Sequence, residues 1–272
     1  MQITQVTSAA NSLLKRIRLL HSASGRKKEG RFLIEGMKLF DEAVKHNIAI
    51  EDVVVSETFL DREFDPHNQN SAFNQTVSQV VVVEDKLFTP LATTETPQGL
   101  IAVAELRSCK IDELFAGKAP LVVIADRIQD PGNLGTMMRT ALALGASGMM
   151  LSKGSVDAFN PKVVRSAAGA LFSLPFVENL SIETCVSECR KRGLKVLALS
   201  ADGDSVLDEV DLTVPSALLL GNEANGLEAA VEKSADMIVS IQMKDESESL
   251  NVAIANAIVM YEASSQRRRR KN

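Results

Sequence analysis

Three stretches of this sequence gather carboxylate, amide, hydroxyl and guanidinium side chains: DRIQDPGNLGTMMR at 126–139, GNEANGLE at 221–228 and QMKDESESLN at 242–251. Each follows or ends an apolar run that reads as a β-strand, and ligands of open parallel sheets bind beyond the carboxyl ends of such strands. Gly132 and Gly135 fit neither G-x-G-x-x-G nor G-x-x-x-x-G-K-S/T, so the first stretch is not a phosphate cradle. A dehydrogenase on a doubly wound sheet therefore lacks its fingerprint. His21, His46 and His67 are too scattered to suggest a catalytic histidine. Cys109, Cys185 and Cys189 form no C-x-x-C pair, which speaks against a disulfide framework or a zinc site, and no metal is expected. Taken singly, the polar residues also have ordinary readings. Asn133 and Ser249 precede helical segments and could be N-caps. Asn225 with Glu228 three later looks like a capping arrangement. Arg139 could be a solvated helix side chain, and Glu223 could pair with a basic neighbour.

The elements that must position these loops show in the hydrophobic pattern. From Leu121 onward the strands LVVIAD, GMMLS (148–152), LKVLALS (194–200), ALLLG (217–221) and DMIVSIQM (236–243) alternate with helical stretches. The helix LGTMMRTALALG places Leu134, Met138, Ala141 and Leu142 on one face, with Gly145 as its C-cap. A last helix over 250–264 places Leu250, Ile254, Ala257, Ile258 and Tyr261 together, with Ala253 and Val259 broadening the stripe. This alternation predicts an α/β domain with a parallel sheet covered on both faces. The first third predicts a smaller α/β unit: a helix near Asn11 to His21, FLIEG, a helical KLFDEAVKH, IEDVVVS, VSQVVVVED and GLIAVAEL. Asp61 to Gln75 is polar and Asn-rich and reads as a surface loop. The expected organisation is a domain over 1–108, a charged linker over 109–118, a second domain over 119–266 and a basic tail over 267–272.

The length of 272 residues fits two domains at roughly 150 residues each. With 45% hydrophobic and 24% charged residues the chain is globular rather than disordered. No apolar run reaches the ~18 residues of a membrane span, and MQITQVTS does not look like a signal peptide. A soluble, cytoplasmic protein with no membrane partner is expected, and free thiols suit that compartment. Cys185 and Cys189, four apart on a helix, read as packing residues. Aromatics are 4% with no Trp, so any nucleic-acid contact must rely on charge and shape rather than stacking. The net charge of −5 is uneven: Lys15, Arg16, Arg18, Arg26, Lys27, Lys28 and Arg31 face only Glu29 near the start, and four arginines with Lys271 end the chain. Two basic ends on an acidic body read as phosphate-binding surfaces or as solvated ends.

Together the three loops resemble the motifs of the SpoU, or TrmH-like, branch of the SPOUT methyltransferases: DPGNLGTMMRTALALGA, LLLGNEANGL and IQMKDESESLNVAIANAIVMYE, in order and properly separated. The resemblance covers 119–265, and NSLLKRIRLLHSASGRKKEGRFLIEG is more diffusely similar to the family's ribosomal-protein-like substrate-binding domain. It implies a C-terminal parallel-sheet domain with a deep trefoil knot, a topology that general rules disfavour. It implies transfer of a methyl group from S-adenosylmethionine to a ribose 2′-hydroxyl of structured RNA, by a homodimer built through the C-terminal domain. The positions matching the family's catalytic set are Asn133, Arg139, Glu223, Ser249 and Asn251, and those matching its cofactor contacts are Gly221, Ile241 and Leu250, with Ser200 beside them. The basic N-terminal residues Lys15, Arg16, Arg18, Arg26, Lys27, Lys28 and Arg31 are the candidate RNA contacts. The family gives Arg139 the central role, but a guanidinium stays protonated, so Arg139 is read as holding a phosphate and stabilising the developing alkoxide. Ala224 stands where the family often has Gly, which matters if that position needs a positive φ. Gln242 stands where Pro is common, and KDESE replaces a smaller, more neutral loop.

Ribosomal RNA is the expected substrate, with transfer RNA the alternative. A reading from another class is a catalytically silent RNA-binding protein acting in ribosome assembly, against which the intact five-residue set argues.

Overall fold

A computed structural model describes residues 2–63, 77, 79–244 and 249–270. The strands are β1 (Gln2–Val6), β2 (Arg31–Glu35), β3 (Ile50–Ser56), β4 (Gln79–Val83), β5 (Leu100–Glu105), β6 (Leu121–Ala125), β7 (Gly148–Ser152), β8 (Phe176–Leu180), β9 (Lys195–Leu199), β10 (Ser205–Val206), β11 (Ser216–Leu220) and β12 (Met237–Ser240). The helices are α1 (Ser12–Leu20), α2 (Ala23–Glu29), α3 (Met37–Lys45), α4 (Glu57–Glu63), α5 (Asp85–Phe88), α6 (Pro131–Ala143), α7 (Pro161–Ser166), α8 (Ile182–Lys191), α9 (Ala229–Glu232) and α10 (Val252–Arg269). By contacts the chain divides into two compact units, residues 1–107 with 159–172, and residues 108–158 with 173–272. The expected surface loop at 61–75 lies largely outside the described residues.

The first unit is a five-stranded mixed sheet in the order β1-β4-β3-β5-β2. Leu14, Ile17 and Leu20 of α1 pack on Leu33, Val54, Val83, Ile101 and Val103 of the sheet. Residues alternate across a strand, so Phe32 points the other way, where its ring meets Phe159 at 5.0 Å and Phe172 at 6.3 Å. Segment 159–172, carrying α7, thus adds aromatic cover to this face of the sheet. Strand β1 is missing from the sequence reading. QITQV pairs in parallel with β4 at the sheet edge and leaves Ile3 about half exposed, so backbone pairing rather than an apolar pattern makes it a strand.

The second unit is a seven-stranded, wholly parallel sheet in the order β10-β12-β9-β11-β6-β7-β8. Strands β6, β7 and β11 are buried at every residue, as a sheet covered on both faces requires. From β6 the chain runs outward through β7 and β8, then returns to the other side of β6, with β11 placed between β6 and β9. That reversal puts the ends of β6, β11, β9 and β12 side by side. Cys185 and Cys189 are core residues of α8, and burial pushes each thiol up to about 12, which makes both poor nucleophiles at neutral pH.

Two expectations about helices need correcting. In α6, Leu134, Met138 and Ala141 are buried with Gly135 and Met137, but Leu142 is exposed. In α10 the buried face is Val252, Ala253, Asn256, Val259, Met260 and Ala263, whereas Ile254 and Tyr261 are more than half exposed. The helix is apolar on two sides, and a single expected stripe merged them. The expected tail at 267 is also helix. Arg267 is part-buried and donates from Nε to Leu212 O (2.8 Å), Nη1 to Ala119 O (2.8 Å) and Nη2 to Val214 O (3.0 Å), and burial holds its pKa below the ordinary value. Among the described residues no helix is long and apolar enough to cross a membrane. Arg267→Met should lower the unfolding free energy by about 2–3 kcal/mol, because three carbonyls lose their donor; urea denaturation at neutral pH measures this.

Candidate functional site

The loop after β6 enters α6 through Asp130, whose carboxylate caps the helix by accepting from Asn133 N at 2.8 Å, with Pro131 in the first turn. Asn133 is therefore not the cap, and its side chain is free for other partners. The loop after β11 is a tight turn in which Asn222 and Gly226 exchange backbone hydrogen bonds of 3.1 and 2.9 Å, while Asn222 Oδ1 accepts from Ala224 N and Asn225 N. Gly226 takes the positive φ of +63°, and Ala224 does not lie in the left-handed region, so the Ala-for-Gly departure costs no strain. Gly221 must be glycine for another reason: a Cβ there would stand 2.3 Å from Gly226 C. The expected Asn225–Glu228 cap is absent, since Glu228 itself precedes α9 and bonds Arg127 instead. Asn251, not Ser249, caps α10, accepting from Ala253 N and Ile254 N.

A chain of polar contacts ties these three loops together. Asn251 Nδ2 donates to Asn133 Oδ1 at 3.0 Å, and Asn133 Nδ2 donates to Glu223 Oε1 at 3.2 Å. Glu223 also accepts from Asp130 N at 3.0 Å and Gln129 N at 3.2 Å. The expected basic partner of Glu223 is thus replaced by the amides at the head of α6. Burial pushes the Glu223 carboxyl up, but these N–H donors and the Asn133 amide outweigh it and hold the group below its ordinary value of 4.5.

Beside this chain lies a cleft of about 410 Å³ lined by Ser200, Gly221, Glu223, Ile241, Ser249 and Leu250, with Leu199, Leu220, Val239 and Val252 adding apolar wall. Its volume falls in the range of about 300–1,000 Å³ common for small-molecule sites. Among its described lining residues are the carboxylates Asp202 and Glu232 and no lysine or arginine, which favours a cationic ligand. The sequence reading missed Asp202, Glu232 and Asn222. The rule of carboxyl ends could have found Asp202, three residues past β9.

Asn133, Glu223 and Asn251 are therefore joined directly, and Ser249 stands at the cleft wall. Arg139 is not joined to them. It is exposed on α6, bonds no described residue and does not line the cleft. Gln242 lines a neighbouring groove rather than the cleft, and 245–248 of the KDESE loop lie outside the described residues.

The basic N-terminal residues separate into two groups. Arg26 is 3% exposed and donates to Leu20 O and His21 O, so it holds the turn between α1 and α2. Arg16 is engaged by Glu29, Glu51 and Asp52, and Arg31 by Glu51 and Glu105. Arg18 donates to Ala9 O. Lys15, Lys27 and Lys28 remain exposed.

Because the Glu223 carboxyl is depressed in the folded protein, its stabilising effect is complete above its ordinary value and is lost as pH falls through the lowered one. Glu223 is solvent-exposed, so after screening Glu223→Gln should cost at most about 1 kcal/mol at pH 7, and the gap to the unsubstituted protein should close as unfolding is measured at progressively lower pH. A gap that persists in acid would show that charge is not what holds the loop.

Residues 120–261 match the SpoU rRNA Methylase family, and residues 11–102 match the MRM3-like substrate binding domain. The chain is 34% identical to the 23S rRNA (guanosine(2553)-2′-O)-methyltransferase RlmP of Bacillus subtilis, over 94% of this chain and 98% of that one. It is 32% identical to a 23S rRNA (uridine(2479)-2′-O)-methyltransferase of Streptomyces viridochromogenes, over 92% and 88% of the two chains. Its fold is similar to the crystal structure of an AdoMet-bound rRNA methyltransferase from Sinorhizobium meliloti, with a TM-score of 0.84 at 29% identity over 97% and 98% of the chains. The AdoMet complex of the SpoU methyltransferase AviRb from Streptomyces viridochromogenes gives 0.83 at 31%, over 94% and 98%. With more than half its length matched by the family model and nearly all of it by full-length relatives, the chain belongs to the SpoU rRNA methylase family.

Proposed function

We propose that this protein methylates a ribose 2′-hydroxyl of ribosomal RNA in the cytoplasm, with S-adenosylmethionine held in the cleft between the ends of β9, β11 and β12. The observation that carries the reading is the convergence of Gly221, Ile241, Leu250, Ser200, Ser249 and Glu223 on that one cleft, next to the Asn251–Asn133–Glu223 chain. The residues fit the cofactor: the apolar walls suit a purine, the bare Gly221 backbone permits close approach, and the carboxylates suit a cation. S-adenosylmethionine supplies an electrophilic methyl group on a sulfonium centre. The chain supplies alignment: the three tied loops hold the cleft in shape, so the hydroxyl meets a fixed pocket wall. The threading implied by the resemblance would pass here, since β11 enters between β6 and β9, two strands laid down before it.

Arg139 needs a different explanation, since its own chain's cleft lies elsewhere. A groove of about 570 Å³ is lined by Leu144, Val206, Leu207, Ile254, Ala257, Ile258 and Tyr261, and by Ile241, which also lines the cleft. A second copy of this chain covering the groove in an isologous contact would bring a partner surface to the edge of each cleft. In that dimer Arg139 reaches the partner's cleft, where it holds a phosphate of the RNA and stabilises the developing alkoxide. Lys15, Lys27 and Lys28 supply sequence-independent affinity for the RNA backbone.

The direct test incubates the purified protein with unmodified ribosomal RNA and methyl-labelled S-adenosylmethionine, followed by nucleoside analysis. Label in a 2′-O-methylnucleoside supports the reading, whereas label in a base, or none, refutes it. Arg139→Ala should abolish transfer while leaving cofactor affinity near its normal value, because the side chain acts on RNA. Arg139→Lys should be nearly as poor, since a point charge does not reproduce the planar fork. Ile254→Glu with Tyr261→Glu should give monomers by light scattering at micromolar concentration and little turnover. A fully active monomer would remove both the dimer and the shared site.

A further inference from the structure

Arg127, the second residue beyond β6, belongs to none of the matched catalytic or cofactor positions, yet it is held by contacts to three loops near the cleft. Its backbone lies in the left-handed region at φ +53°, a conformation that costs a non-glycine residue roughly 1–2 kcal/mol. Something must outweigh that cost. Arg127 N donates to Ser152 Oγ at 2.9 Å, and Arg127 O accepts from Asn222 Nδ2 at 2.8 Å. Its aliphatic stem lies over Gly154, where a Cβ would come within 3.3 Å of Arg127 Cγ. Nε donates to Asp126 Oδ2 at 3.1 Å, and Asp126, 2% exposed, also accepts from Ser152 Oγ at 2.6 Å. Nη1 donates to Glu228, and Nη2 is buried with no partner among the described residues. The residue thereby spans the loops after β6, β7 and β11.

The partners show what this arrangement does. Asn222 through Leu227 line the cleft, and Glu223 and Glu228 bracket that turn. Glu223 docks one end of the turn on Gln129 N and Asp130 N, two and three residues beyond Arg127. Glu228 docks the other end on the Arg127 guanidinium, and Asn222, the first residue of the turn, docks on its carbonyl. We propose that Arg127 is a positioning residue for cofactor binding: it clamps the 222–228 turn against the loop after β6 and so fixes the wall of the cleft. Lysine cannot do the same, since one ammonium does not reach Asp126 and Glu228 in the fixed geometry of a planar guanidinium. The inference rests on the cleft being the S-adenosylmethionine site.

Isothermal titration with S-adenosylmethionine on the full chain tests it, using Arg127→Ala, Arg127→Lys, Glu228→Ala and the Arg127→Ala/Glu228→Ala double variant. Arg127→Ala should weaken binding about tenfold, as loss of a charge-assisted contact implies. Glu228→Ala, which removes an exposed carboxylate, should weaken it by about two- to fivefold with an unchanged melting temperature. The double variant should be no worse than Arg127→Ala, because both act through one contact. If Arg127→Ala does not fold, Arg127→Lys and Glu228→Ala with their double variant form the same cycle. Normal affinity in the folded Arg127 variants, effects that multiply, or losses that track melting temperature alone would overturn the proposal. If the unsubstituted protein does not bind the cofactor at all, it is the assignment of the cleft that fails.

Discussion

The Glu223 carboxylate resting on the amides at the head of α6 is the contact on which the arrangement of the site depends. Strands β6, β9, β11 and β12 bring three loops together at the carboxyl end of the sheet, but adjacency alone leaves loops free to splay. A carboxylate that accepts from Asp130 N, Gln129 N and Asn133 Nδ2 converts adjacency into fixed geometry. Asn251 then extends the same chain to the start of α10 while capping that helix with its other amide atom. One short series of hydrogen bonds thus sets loop positions, caps a helix and shapes a cleft. Such donors favour the charged carboxylate, which is why the group stays ionised despite partial burial.

Much of this was legible in the sequence. The βα rhythm from Leu121 gives the parallel sheet because strands buried on both faces read as unbroken apolar runs. The three loops and their ordered motifs locate the cleft, and Gly221, Ile241, Leu250 and Ser200 all line it. What escaped had physical reasons. Strand β1 is held by backbone pairing at an edge, where side chains carry little pattern. The role of segment 159–172 depends on Phe159 and Phe172 meeting Phe32 across more than a hundred residues, a distance that local periodicity does not register. The caps were misassigned because Asp130, Asn133, Ser249 and Asn251 are all competent capping residues, and only the backbone shows which one sits at the helix start.

Basic residues illustrate the same limit. A count of positive side chains near the start of the chain suggested one phosphate-binding surface, but Arg26 is buried against carbonyls, and Arg16 and Arg31 are occupied by five carboxylate contacts between them. Arg267, nominally part of a solvated tail, locks the last helix to three carbonyls. In each case arginine serves as a multidentate structural donor, a use that its planar fork favours and that charge counting does not reveal. The lysines, lacking that fork, are the residues left facing solvent. Arg139, exposed on α6, makes no side-chain contact with a described residue.

The central claim is that three loops tied through Glu223 form the binding site for S-adenosylmethionine. A crystal structure of the protein grown with the cofactor tests it most directly. The account predicts density for the adenosine between Gly221, Ile241 and Leu250, with the Asn251–Asn133–Glu223 contacts intact. Cofactor density at any other place, or a cleft closed by rearrangement of those contacts, would contradict it.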